Sequence, residues 1–145
     1  MSIILDSENA FKLKLYDALE WLYPNQLEYI FTPKYCSYDL IVRDKRLYTQ
    51  VYIEHKQRNI HYLETIKTSG LMFNRCKLSY YQKYLSSSLV IIATTFNDTS
   101  YWTVYDSSMN ELPTTHTNQT VVFLPFHTFR DTMDELAMKI ILYLK

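Results

Sequence analysis

Two carboxylates and a lysine in the first half of the chain have the residue types and spacing of a metal-assisted hydrolytic site. Asp39 opens one predicted strand, and Glu54, His55 and Lys56 lie inside the next. Carboxylate oxygens are preferred ligands of hard divalent cations, and a metal ion lowers the pKa of a bound water. This chemistry requires Asp39, Glu54 and Lys56 to emerge on the same face of a sheet.

The apolar residues of the two predicted strands test that requirement. Side chains alternate between the faces of a strand, and residues directly opposite on paired strands share a face. If Asp39 lies opposite Glu54, one face carries only apolar residues and becomes the core: Leu40, Val42, Val51 and Ile53. The other face then carries the three chemical groups with Tyr52, and Ile41 is its one aliphatic residue.

This register depends on the length of the connection between the strands. It needs a loop of about four residues near Lys45 to Tyr48, an ordinary hairpin length. A two-residue turn at Asp44 and Lys45 would instead pair Asp39 with Gln50, roughly 13 Å from Glu54 at about 3.3 Å per residue. The metal site therefore requires the longer loop or a bulge.

Hydrophobic periodicity predicts the elements that must hold these strands in place. A first helix begins at Ser7 as its cap and ends before Pro24, and a second helical stretch over 62–85 is interrupted near Gly70. The predicted strands are 27–32, 38–43, 48–56, 89–93, 101–105 and 120–124, the last two forming a pair, and a closing helix covers 129–144. The order predicts one α/β domain over residues 1–145, with a mixed central sheet flanked by helices.

Charge is unevenly distributed although the formal net charge is zero. Between Arg43 and Lys83 lie nine Lys or Arg residues and three acids, so the remainder of the chain is acidic. A basic segment around the acid and lysine residues suits a polyanionic substrate. A solvated helix face with charged turns is the alternative explanation.

Several other classes of protein are disfavoured. The chain has one glycine, Gly70, whereas phosphate-binding loops need several. Cys36 and Cys76 lack the spacing of a zinc site or disulfide framework, and the four histidines show no paired ligand spacing. The apolar runs are too short for a membrane span, and the first residues lack the features of a secretory signal. We therefore expect a cytosolic protein without membrane contact.

These residues resemble the PD-(D/E)XK nucleases, in which an acid at a strand start is followed by acid, any residue and lysine on the next strand. The motif falls on Asp39 and on Glu54, His55 and Lys56, and the resemblance in element order covers roughly residues 7 to 95. Tyr38 stands where the family has proline. The resemblance implies a restriction-endonuclease-like core, with the order helix, three strands, helix and strand.

The family's chemistry implies a role for each residue. Asp39 and Glu54 would bind Mg²⁺, for which Mn²⁺ could substitute, together with the backbone carbonyl of His55. Lys56 would orient or deprotonate the attacking water. Many members add a glutamate from the first helix, and Glu8 is the first candidate and Glu20 the second. A glutamate in the first turn also stabilises the helix dipole, which explains Glu8 equally well.

The remaining predictions concern substrate and partners. Gln57, Arg58, Lys77 and Tyr81 are candidate nucleic-acid contacts, the last two sharing a helix face. The predicted function is a Mg²⁺-dependent endonuclease that cleaves duplex or branched DNA as a homodimer, in the host cytosol if the protein is phage-encoded. The alternative is a catalytically inactive module of nuclease fold that binds nucleic acid or a protein.

Overall fold

The computed structural model describes residues 7–32, 38–57, 71–97, 99–105, 121–124 and 133–145, and only the backbone of 7–9, 71–75 and 121–124. Three helices lie in these segments: α1 Ser7–Leu22, α2 Arg75–Tyr84 and α3 Met133–Leu144. The strands are β1 Leu27–Phe31, β2 Leu40–Asp44, β3 Gln50–Gln57, β4 Leu71–Asn74, β5 Leu89–Thr95, β6 Ser100–Val104 and β7 Val121–Leu124. None of the described helices is long and apolar enough to span a membrane.

A five-stranded mixed sheet forms the centre of the molecule, in the order β1-β2-β3-β5-β6. The β3 and β5 strands are parallel, and the other neighbours in this sheet are antiparallel. A second sheet contains β4 and β7, paired antiparallel. The predicted α/β class, with a mixed sheet flanked by helices, is confirmed.

Helices cover both faces of the main sheet. On one face, α1 and α3 pack on β2, β3 and β5 through a cluster that includes Leu15, Val42 and Ile140. On the other face, α2 packs through Leu78 and Tyr81 on a smaller cluster that includes Ile92. The face that carries Glu54 and Lys56 is therefore partly covered, because α2 lies in the crossover from β3 to β5.

The α1 helix presents one apolar stripe to this core. Phe11, Leu15 and Leu19 recur every four residues and are buried, as the helical period requires. The helix ends at Leu22, two residues before Pro24, which cannot donate a backbone hydrogen bond. In α3 the inward residues are those that the periodicity predicted: Leu136, Ile140, Ile141 and Leu144.

The β2–β3 hairpin has the predicted register. Leu40 lies opposite Ile53 and Val42 opposite Val51, and all four are buried in the α1–α3 core. The loop is closed by two backbone hydrogen bonds, from the Asp44 N–H to the Thr49 carbonyl and from the Tyr48 N–H to the Asp44 carbonyl. Tyr48 has φ of 60°, a left-handed conformation that lets four residues, 45–48, reverse the chain.

Two predictions about the later elements are wrong. Residues 71–74, predicted as helix, form β4 because they hydrogen-bond to β7. The predicted pair of strands near 101–105 and 120–124 is not formed, since β6 pairs with β5 and β7 with β4. Residues 62–70 of the predicted second helix and 129–132 of the closing helix lie outside the described residues.

Candidate active site

Asp39 lies immediately before β2, at the point where β2 leaves β3. Its N–H donates to the Ile53 carbonyl at 2.8 Å, although the register partner of Ile53 is Leu40, so Asp39 keeps contact with β3 just beyond the regular ladder. Its carboxylate Oδ2 accepts a 2.7 Å hydrogen bond from the His55 N–H. The Asp39 side chain thus takes the place of a backbone acceptor for the His55 N–H, and it is held against β3.

Glu54 projects from β3 toward α2 and is only 1% exposed. Its Oε2 atom forms a 2.6 Å ion pair with Lys77 Nζ. The Tyr81 hydroxyl donates to the same oxygen at 3.4 Å. Both partners come from α2, which places Lys77 and Tyr81 four residues apart on the face that meets the sheet.

Burial, a second carboxyl and two ammonium groups shift the pKa of Glu54. Burial raises the pKa of the carboxyl to about 8, and a side-chain hydrogen bond and the negative charge of Asp39 act in the same direction. The hydrogen bond from Lys77 and the charge of Lys56 oppose the rise. The two carboxyls are therefore direct neighbours, and both ammonium groups lie close enough to influence them.

The pKa of Lys77 is displaced by the same interactions. Burial lowers the pKa of the ammonium, but the hydrogen bond and charge of Glu54 outweigh it, so the net shift is upward. Lys77 is thus held protonated beside a carboxyl that itself favours a proton. The ion pair partly offsets the cost of placing two acids together away from solvent.

His55 and Lys56 complete the strand segment. The Lys56 side chain is half-buried on the face that carries Glu54. The His55 ring lies on the opposite face, where it stacks on Phe11 with 4.4 Å between ring centroids and contacts Thr95 Oγ1 through Nε2 at 2.7 Å. This packing anchors the backbone whose N–H binds Asp39.

The candidate nucleic-acid residues are distributed differently from the prediction. Gln57 is exposed at the end of β3, and Arg58 lies outside the described residues. Tyr81 is fully buried, and its hydroxyl contacts Glu54. It is therefore inaccessible to a nucleic-acid backbone. Lys77 is paired with the same glutamate. Sequence reasoning placed both on one helix face but missed that this face meets Glu54.

The two glutamates of α1 occupy different surroundings. Glu20 accepts hydrogen bonds from the Tyr29 hydroxyl at 2.8 Å and the Asn25 N–H at 3.2 Å. Tyr29 lies opposite Val42, and Glu20 is near the other end of α1 from Phe11, whose ring stacks on His55, so Glu20 is away from Glu54. Glu8 lies in the first turn of α1, three residues before the Phe11 that stacks on His55, and its side chain is not described.

The donor set fits a hard divalent cation in chemical type. Two adjacent carboxyls supply oxygen atoms, the ligand type that hard divalent cations prefer. Among the described side chains no group of three or more His, Cys, Asp or Glu could hold a metal ion. The oxygens of Asp39, Glu54 and the His55 backbone are therefore the ligands that these residues offer.

Comparison with known proteins identifies a solved structure with a similar fold. No protein-family model matches the chain, and no curated protein matches its sequence. Among solved structures, the chain is similar to Hjc from Archaeoglobus fulgidus, a Holliday junction resolvase from an archaeal hyperthermophile, with a TM-score of 0.52 and 12% sequence identity. The match covers 90% of this chain and 92% of the resolvase. This chain therefore shares the fold of the resolvase.

Proposed function

We propose that this protein is a metal-dependent endonuclease that hydrolyses phosphodiester bonds in DNA. The observation that carries the proposal is the meeting of Asp39 and Glu54 on neighbouring strands, with Lys56 on the same face. The resolvase-like fold supports a nuclease in general. The basic segment from Arg43 to Lys83 supports a polyanionic substrate.

Each residue has a role that its surroundings can support. Asp39 and Glu54 would hold Mg²⁺, or Mn²⁺ in its place, with the His55 carbonyl, and the ion would supply charge neutralisation and an acidified water. Lys56 orients the attacking water and stabilises negative charge on the phosphate. The His55 N–H holds the Asp39 carboxylate in place at 2.7 Å. Glu8 is the proposed additional acid because its helical turn lies at the His55 end of β3.

Lys77 and Tyr81 act on Glu54 in this proposal. The ammonium and hydroxyl both contact Oε2, so they fix the rotamer of the carboxylate. Gln57 and Arg58, which follow Lys56 directly, remain the proposed contacts to the phosphates. A homodimer acting on duplex or branched DNA is proposed because cutting both strands requires two sites, which a symmetric pair provides.

One observation favours a second candidate function. Lys77 Nζ already contacts Glu54 Oε2 at 2.6 Å, where it competes with a metal ion for that oxygen, as expected of a nuclease fold that has lost its metal. Such a protein would bind nucleic acid or a protein partner without cleavage. The two functions differ in whether Mg²⁺-dependent hydrolysis occurs.

Cleavage of supercoiled plasmid and of a four-way branched DNA, with Mg²⁺ or EDTA, tests the proposal. Glu54→Gln and Lys56→Ala should each lower the rate by about 100-fold or more, since each removes a group that acts on the reacting atoms. Lys139→Ala and Asp134→Asn are matched controls, because both residues are exposed on α3. Absence of cleavage by the parent protein, or full activity in both site variants, would contradict catalysis at this site.

A further inference from the structure

Four tyrosines form a continuous line of ring contacts beside the candidate active site. The Tyr52 and Tyr38 rings meet edge to face with centroids 4.9 Å apart, and Tyr38 lies 6.2 Å from Tyr80. Tyr80 in turn lies 4.9 Å from Tyr84. We call this set, Tyr52, Tyr38, Tyr80 and Tyr84, the tyrosine ladder.

The ladder runs from the acids toward the surface. Tyr38 is bonded in sequence to Asp39, and Tyr52 lies two residues before Glu54 on the same face of β3. Tyr80 is half-buried, and Tyr84, one helical turn further along α2, is 60% exposed. The rings of Tyr52, Tyr38 and Tyr80 pack against the smaller hydrophobic cluster under α2. The Tyr84 ring is available to a ligand.

Positive charge accompanies the ladder. The Lys83 ammonium lies 5.1 Å from the centroid of the Tyr84 ring. At the inner end, Arg43 Nε donates to Gln50 at 3.0 Å, and the Gln50 amide donates to the Tyr52 hydroxyl. A ligand that follows the ladder therefore meets aromatic rings with cations at both ends.

We propose that the tyrosine ladder binds unpaired nucleotides of the strand whose phosphodiester bond lies at Asp39 and Glu54. Bases would stack on Tyr84 and Tyr80, and the adjoining phosphate would lie near Lys83. Aromatic rings beside a basic track are the general means by which proteins hold single-stranded nucleic acid, because every base has a face that can stack. The inference rests on the proposed nuclease function and specifies its substrate as nucleic acid with an unpaired segment near the cut.

A protein partner fits this surface less well. Among the described side chains of α2, Tyr84 is the only large apolar group that is substantially exposed. Protein docking sites are usually contiguous apolar patches, whereas the exposed residues that precede Tyr84 in sequence, Gln82 and Lys83, are polar. A single exposed ring with an adjacent ammonium suits a base and its phosphate.

Fluorescence anisotropy of a labelled oligothymidylate of about ten nucleotides, in low salt with EDTA, tests the inference. Tyr84→Leu and Tyr80→Leu should each weaken binding by about fivefold or more, since each removes one base stack. Tyr84→Phe should bind as the parent does, because stacking needs the ring and not the hydroxyl. Lys83→Ala should reduce the salt dependence of binding, as expected for one lost phosphate contact.

Tyr16→Leu is the matched control. Tyr16 is also an exposed helical tyrosine in a tilted ring contact, with Tyr29 at 4.8 Å, but it lies on α1. Unchanged affinity in Tyr84→Leu, an equal loss in Tyr16→Leu, or no binding by the parent protein would overturn the inference. Because EDTA prevents metal-dependent cleavage, loss of the ladder's binding and loss of nuclease activity are separate results.

Discussion

Glu54 is the residue at which the competing requirements of this site are most evident. It is buried, it adjoins a second carboxyl, and it is paired with Lys77. A buried acid next to another acid favours its protonated form, whereas the ammonium favours the ionised form. A divalent cation would satisfy both carboxyls at once, so the metal-free site is held in balance by the lysines.

The raised pKa of Glu54 predicts that stability depends on pH in a definite direction. The carboxyl has an ordinary pKa of 4.5 when exposed and about 8 in the folded protein, so the native state binds the proton more tightly. The stabilisation that the folded state gains from this proton is complete below pH 4.5 and is lost as the pH rises through about 8. The metal-free protein should therefore have a lower free energy of unfolding at about pH 9 than at about pH 5.

Urea unfolding in EDTA at these two pH values measures that difference. Glu54→Gln cannot titrate at this position, so its unfolding free energy should change less with pH than that of the parent. Asp134→Asn, an exposed acid on α3, should leave the pH dependence as in the parent. Identical pH profiles for the parent and Glu54→Gln would show that another group governs the effect.

At the scale of elements, the β2–β3 hairpin decides whether the two acids meet. The Asp44 carboxylate Oδ1 accepts hydrogen bonds from the N–H groups of Arg46 and Leu47, at 2.9 and 2.8 Å. The hydrogen bonds to the Leu47 and Arg46 N–H groups hold the pKa of Asp44 below its usual range against the opposing effect of burial. Asp44 thus fixes the loop length that the proposed metal site requires.

Asp44→Ala should destabilise the protein by about 2–3 kcal/mol, because two backbone donors and the Tyr23 hydroxyl lose a common acceptor. Thermal or urea unfolding measures the loss. Asp134→Ala provides the comparison, since this exposed acid should cost much less. A cost for Asp44→Ala no greater than that of the control would show that the turn backbone holds its shape unaided.

The contrast between predicted and observed elements has a physical basis. The hairpin register could be predicted because alternation of apolar and polar residues is a local signal, and a shift by one residue would expose Leu40 and Val42. The β4 strand could not, because four residues carry little periodicity and their partner β7 is distant in sequence. The contact of Lys77 with Glu54 could not be predicted either, because it depends on how α2 packs on the second face of the sheet.

At the scale of the whole molecule, two separate cores support the site unequally. The larger core joins α1 and α3 to one face of the sheet, and the smaller one joins α2 to the other. Lys77, Tyr81 and the outer half of the tyrosine ladder all belong to α2. The smaller core therefore positions the α2 side chains that contact Glu54, whereas the larger core holds the strands that carry Asp39, Glu54 and Lys56.

Substituting one residue in each core should separate these contributions. Leu78→Ala and Ile140→Ala each remove a side chain that is at most 1% exposed, and each should cost about 2–5 kcal/mol in unfolding free energy. Cleavage per folded molecule should fall by about tenfold or more in Leu78→Ala only, because displaced catalytic groups lose rate steeply. Equal rates in the two variants would mean that α2 has no positioning role.

The pairing of β4 with β7 has a consequence for the moment at which the site is completed during synthesis. Asn74 pairs with Val121, and α2 begins at the next residue, Arg75. The strand that braces the start of α2 is thus made long after the Asp39 and Glu54 hairpin. We expect a nascent chain to form the hairpin early and to dock Lys77 firmly only once β7 has emerged from the ribosome. Until then, Glu54 would lack the ion pair that it forms with Lys77 in the folded protein.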